Sequence, residues 1–254
     1  MRVGSCIIVG LALLLASCTR PVRPPAAITP DELRTQIGAA PCMIAKLLVT
    51  VIPKDGDGEV VTLWLWVSND GRVRLLGSKN GFDFLTALVA ADGKYTALAL
   101  RTKRITHGRI GGATDPILLR DLVSLVSEVR EGPLPVGAVI TQGENGVWQF
   151  RDAATGWAAE VVRDPEYGMP TVKRLLGPDG TEQRRIDYKR WTTFAALLRP
   201  ERADLVVAGD KDSYSFRIKS LESVSEISDD RLQLRVPPDA VEVTHQEFER
   251  HLGE

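Results

Sequence analysis

The sequence predicts a mainly β protein with few helices, built on a single curved antiparallel sheet that a helix covers. Short apolar segments alternating at period two recur along most of the chain, and turn residues that tolerate positive φ separate them. The 254 residues hold 22 Gly and 15 Pro with only 6% aromatics, which suits many turns better than a helical bundle. Only one long segment, around residues 116–130, carries a clear helical stripe.

The chain begins with Arg2 and an apolar run from Cys6 to Ala16, shorter than the about 20 residues a spanning helix needs. It reads as the apolar region of a secretory signal. The run ends in Leu15-Ala16-Ser17-Cys18, which resembles the lipobox of bacterial lipoproteins. That resemblance implies a signal peptide over residues 1–17, cleavage, and a lipid on Cys18; the competing reading is a buried N-terminal strand with an incidental cysteine. Residues 18–28 carry Pro21, Pro24 and Pro25 without periodicity and read as a semi-extended tether, leaving residues 29–254 as one domain. With Cys6 removed and Cys18 acylated, Cys42 has no partner for a disulfide, and its apolar neighbours Met43-Ile44-Ala45 suit a buried thiol.

Thr29-Pro30-Asp31-Glu32 is a capping box with Pro at the first helical position, followed by Leu33 and Ile37 on one face of a short helix. The period then changes. Leu47, Val49 and Val51 alternate with polar residues, and Glu59 to Val67 forms a strand apolar on both faces, so alternation leaves open which of its faces turns inward. Asn69-Asp70-Gly71 and Asp92-Gly93 mark hairpin turns around strands from Arg72, over Phe82 to Val89, and over Tyr95 to Leu100. Asp115-Pro116 starts the one long helix, whose stripe of Leu118, Leu122, Leu125, Val126 and Val129 lies opposite Arg120, Asp121 and Glu128 and needs a sheet to cover. Further strands are expected at residues 146–150, 157–163, 171–176, 182–191, 205–208, 214–220 and 231–236. A sheet of about a dozen strands curls, so its concave face becomes a packed core or a cavity.

Lys plus Arg number 32 against 33 Asp plus Glu, a net charge of −1, which excludes a global basic field and makes nucleic acid an unexpected partner. His107, His245 and His251 lack metal-ligand spacing and are expected to face solvent, the last two in a charged tail. No nucleophile motif, phosphate loop or complete dinucleotide fingerprint occurs, so the chain reads as no enzyme and as needing no cofactor. Arg72, Arg74, Arg101, Lys103 and Arg104 line hairpin strands, either as a solvated edge or as a site for an anionic headgroup. Trp64 and Trp66 share one strand face, as core or as a pocket lining.

The order of lipobox, tether, short helix, meander, central helix and second run of strands resembles the LolA/LolB-like family of envelope proteins. The resemblance spans roughly residues 29–243. Leu63-Trp64-Leu65-Trp66, Gly71-Arg72-Val73-Arg74-Leu75, Asp92-Gly93-Lys94-Tyr95, His107-Gly108, Arg184-Arg185-Ile186-Asp187-Tyr188 and Tyr214-Ser215-Phe216-Arg217-Ile218 carry it. It implies an unclosed half-barrel lidded by helices, with an apolar cavity that accepts acyl chains of lipids or lipoproteins. No residue of this chain is equated with the protruding apolar loop residue of the family's receptor. The candidate cavity wall is Trp64, Trp66, Val73, Leu75, Phe82 and Phe84, and the candidate cover is Leu118, Leu122, Leu125 and Val129. Thr19 after the modified cysteine is not acidic, which by the same resemblance places the protein at the outer membrane, facing the periplasm. The alternative is a structural envelope lipoprotein with a filled core whose surface docks a protein partner.

Overall fold

The computed structural model describes residues 29–38, 42–53, 58–109, 126, 128–130, 132–134, 141–143, 146–151, 156–209 and 213–252. The segments expected as signal and tether, Cys18, and Leu118, Leu122 and Leu125 of the expected covering helix lie outside these residues.

Helix α1 (Pro30–Ile37) starts at the expected capping box: the Thr29 backbone N–H donates to Glu32 Oε2 at 2.7 Å, and the Glu32 N–H donates back to Thr29 Oγ1 at 3.3 Å. The first half of the sheet then runs β1 (Cys42–Ile52), β2 (Glu59–Val67), β3 (Val73–Lys79), β4 (Phe82–Val89), β5 (Lys94–Ala99) and β6 (Arg104–Arg109). The second half is β7 (Thr141–Gln142), β8 (Val147–Arg151), β9 (Ala158–Arg163), β10 (Pro170–Leu176), β11 (Glu182–Phe194), β12 (Leu197–Val207) and β13 (Ser213–Val224). Among the described residues these strands and β14 (Val241–Glu242) make one sheet, ordered β14-β6-β5-β4-β3-β2-β1-β13-β12-β11-β10-β9-β8-β7, which does not close into a barrel. Each half is an antiparallel meander. Pairing of β1 with β13, from Cys42 opposite Val224 to Ile52 opposite Ser213, welds the two.

Strand period decides the two faces. Met43, Ala45, Leu47 and Val49 of β1, Leu63, Leu65 and Val67 of β2, and Ala203, Leu205 and Phe216 of β12 and β13 all join the main buried cluster on the inner face. Val126 and Val129 of the central helix and Phe248 of helix α2 (His245–Leu252) cover that cluster. Leu33 and Ile37 of α1 build a second cluster with Leu134, Trp148, Val161 and Met169 over the β8–β10 side.

Several expectations are corrected. Residues 231–236 alternate in polarity but form no strand: a 3-10 turn at Asp229–Leu232 leads into an extended strap that crosses beside β3 and ends in β14, paired in parallel with β6. Alternation there reports a segment with one covered side, and ladder pairing does not follow from it. Asp229 and Asp230 sit in that turn. Beyond the strap, the charged tail is α2, begun by a second capping box in which Thr244 Oγ1 donates to Glu247 Oε2 at 2.9 Å. His245 is half-buried there, with its Nδ1 at 2.8 Å from Thr106 Oγ1 and 3.4 Å from Tyr95 Oη, whereas His107 is exposed as expected. The arginines and lysine of the first hairpins hold the strap: Arg72 pairs with Asp229, Arg74 donates to the Arg231 carbonyl, and Lys103 pairs with Asp239.

Candidate functional site

The sheet has two rims. The β1–β2, β3–β4, β5–β6, β8–β9, β10–β11 and β12–β13 connections share one, because the registers place Ile52, Glu59, Lys79, Ala99, Leu176, Val207 and Ser213 at the same end of their strands. Ile52, Val60, Phe82, Trp157 and Val206, exposed large hydrophobics, all lie at or next to this rim. Phe82 projects furthest, 75% exposed after the Asn80-Gly81 turn, whose two positive φ angles make a tight two-residue hairpin.

The predicted wall divides between faces. Val73, Leu75 and Phe84 lie on the inner face with the main cluster. Phe84 is directed there by the bulge between Gly77 and Ser78: its ring lies where a Cβ on Gly77 would stand 3.1 Å from Cζ, so glycine leaves the space the ring fills. Trp64 and Trp66 face the other way. They alternate with buried Leu63, Leu65 and Val67, and stack on the outer face with ring centroids 6.5 Å apart. Lys46 stands 4.8 Å from the Trp64 ring and Arg74 5.9 Å from the Trp66 ring, so cation–π contacts replace the expected pocket lining. Phe82 belongs to the rim. Of the expected cover, Val129 is fully buried in the main cluster.

Inside the apolar face sits a polar group that the sequence reading placed elsewhere. Glu128, expected on the solvated side of the helix, is buried: Lys173 Nζ donates to its Oε1, and the Tyr188 hydroxyl donates to its Oε2 at 2.6 Å. Lys173 stands on β10 between Val161 of β9 and Ile186 of β11, and Tyr188 follows on the same face of β11, against Trp191. Burial first, and the neighbouring Glu128 charge second, push the Tyr188 phenol well above its ordinary range, so it stays a donor. Next to this group, Arg199 of β12 is wholly buried and donates to five carbonyls. Nε reaches Val129 O at 2.8 Å, Nη2 reaches Arg130 O at 2.6 Å and Gly38 O at 2.8 Å, and Nη1 reaches Leu198 O and Ile37 O. One guanidinium thereby caps the C-terminal ends of α1 and the central helix. Burial lowers its pKa to about 10, which leaves it charged at neutral pH. Strand pairing across about 70 residues brings Glu128, Lys173, Tyr188 and Arg199 together, and only the inward parity of Tyr188 beside Ile186 hinted at it.

An unclosed antiparallel sheet with an apolar inner face beneath helices defines the class: the chain has a LolA-like fold. A LolA superfamily protein of Nitrosomonas europaea superposes with a TM-score of 0.57 at 7% identity, covering 82% of this chain and 99% of that one. A DUF1329 family protein of Desulfovibrio piger gives 0.57 at 8% identity, over 80% and 95% of the two chains. A Vibrio parahaemolyticus domain named for outer membrane lipoprotein sorting gives 0.52 at 12% identity, over 80% and 94%. No protein-family model and no curated protein matches the sequence.

Proposed function

We propose that this chain is a lipid-anchored bacterial envelope protein, held through Cys18 at the outer membrane and facing the periplasm, that shelters an acyl chain of a lipid or lipoprotein against the inner face of its half-barrel. One observation carries the reading. The apolar inner face runs out to a rim at which Phe82 and Trp157 are exposed, with Ile52, Val60 and Val206 exposed on the outer face beside it, an arrangement that suits contact of this rim with a bilayer next to the protein interior. The LolA-like fold, shared with a domain named for outer membrane lipoprotein sorting, supports the carrier reading.

The test uses the full chain in lipid nanodiscs doped with a phospholipid whose acyl terminus carries a photoactivatable diazirine. The expected result is adducts on inner-face residues such as Leu75, Phe84 and Leu205. Adducts confined to the anchor and rim would replace carriage by the second reading, a scaffold that docks a protein partner. That alternative draws on the tight burial of Met43, Leu47, Leu65 and Phe216, as in a filled core.

A further inference from the structure

We infer that Lys173 and Tyr188 form a headgroup site for an anionic amphiphile, occupied in this structure by the carboxylate of Glu128 as an internal stand-in. The inference rests on the acyl-chain reading and adds to it the chemistry of the ligand's polar end.

The argument begins with cost. Burying an ammonium and a carboxylate in an apolar interior carries a desolvation penalty that their attraction barely offsets, and apolar side chains of similar volume serve stability as well or better. Yet Lys173, Glu128 and Tyr188 sit together, each 7% exposed or less, between the two hydrophobic clusters. The three are carried unequally. Lys173 and Tyr188 belong to adjacent strands of the sheet, fixed in register through Lys173 opposite Ile186, whereas Glu128 comes from the covering helix. The two oxygens of Glu128 are bound separately, one by the ammonium and one by the phenol, the pattern by which a two-oxygen anion is read.

When the Glu128 side chain swings aside for a ligand, Lys173 and Tyr188 are left as buried donors without an acceptor, so the incoming molecule must supply one. A carboxylate or a phosphate monoester supplies two acceptor oxygens and the charge that Lys173 needs; an alcohol supplies one neutral acceptor, and a quaternary ammonium head supplies none. The two donors stand at one end of an apolar row. Tyr188 stands opposite Ala203, and Ala203 opposite Phe216, so a chain anchored at the donors runs along buried apolar residues toward β1. Arg199 keeps its five carbonyl acceptors throughout and takes no part in binding the head.

The experiment is competition against the inner-face photoadduct in the same nanodiscs, with dodecanoate, dodecyl phosphate, dodecanol and dodecyltrimethylammonium at matched bilayer loading. The two anions should compete at concentrations at least tenfold below the alcohol and the cation. Better competition by dodecanoate assigns a free fatty carboxylate, and better competition by dodecyl phosphate assigns a phosphate headgroup. Glu128→Gln, which removes the charge of the internal competitor, should strengthen the anions several-fold. Lys173→Met with Glu128→Leu leaves no lone buried charge and should keep the fold, checked by its thermal transition, while the anion preference disappears. Dodecanol competing as well as the anions, or a preference that survives in the folded double variant, would overturn the headgroup site and leave acyl binding standing. Absence of any inner-face adduct would overturn both.

Discussion

Arg199 shows how much organisation one side chain can carry. Four of its five hydrogen bonds are directed at carbonyls that two helix ends would otherwise leave unpaired, so replacement removes one cap from two elements at once. Arg199→Leu should destabilise the fold by about 3 kcal/mol or more, since buried carbonyls lose their donors, and Arg199→Lys should restore only part because an ammonium cannot span the same acceptors. Denaturant titration of the two variants checks this; equal stability of the leucine variant and the parent would remove the clamp. A second residue sets an acid limit. Glu247 is held below the usual glutamate range, chiefly by the Thr244 backbone N–H and then by its hydroxyl. Its folded value is depressed, so the cap contributes fully above the usual glutamate range and is lost as pH falls through the depressed value. Backbone exchange in α2 should therefore rise in acid, and Glu247→Ala should show that faster exchange already at neutral pH.

Among the elements, the strap and α2 are the parts whose role is plainest. Leu232 is buried beside β3 and Phe248 is buried over β5 and β6. Leu232→Ala should cost about 2–5 kcal/mol and Phe248→Ala about 3–5 kcal/mol, read from urea midpoints. Losses below 1 kcal/mol at both would mean that the tail lies loosely on the sheet. These elements also mark how far the sequence could be read. β2 and β4 have the predicted bounds because turns with distinctive residues flank strong apolar runs. β6 was missed: Arg104-Ile105-Thr106-His107-Gly108-Arg109 is polar and glycine-bearing, and it gains its partners from β5 and from a strand 132 residues later. Thr244-His245-Gln246-Glu247 had the pattern of a capping box, yet its charge obscured the single buried Phe248 that makes the helix amphipathic. The inward face of β2 was not readable because both of its faces are apolar, and the tryptophans, the larger side chains, proved to be the outer ones.

At the scale of the whole molecule, the proposed function makes separate demands on the anchor, the rim and the interior. Cys18→Ser should give an uncleaved precursor or a domain released from the membrane, because stable attachment takes two or more acyl chains at about 0.8 kcal/mol per buried methylene. Fractionation with mass measurement of the N-terminus decides this, and a wild-type chain found wholly soluble with residues 1–17 intact would end the anchor proposal. Phe82→Asp should leave the thermal transition nearly unchanged, since the ring is exposed, while slowing inner-face photolabelling severalfold. Unchanged labelling would separate the rim from ligand entry. The half-barrel as a class was legible from alternation and turns, but the buried polar group was not. Its members lie on a helix and two strands, and residue spacing holds no record of which strand pairs with which.

The weld between β1 and β13 sets the order in which the molecule can be made. The central seam of the sheet joins β1 to β13, and the strap that covers part of the first meander follows β13 in the chain. The β3 strand and the Asp229–Leu232 turn packed beside it are about 150 residues apart, a long separation to close. So distant a closure makes for slow, late-committing folding with high contact order, and it makes the interval before closure the period of greatest exposure to aggregation and proteolysis. A stop codon near residue 225 would therefore do more than shorten a tail. It would leave the β3 side of the sheet without its cover and hold the protein in the form most open to aggregation and proteolysis.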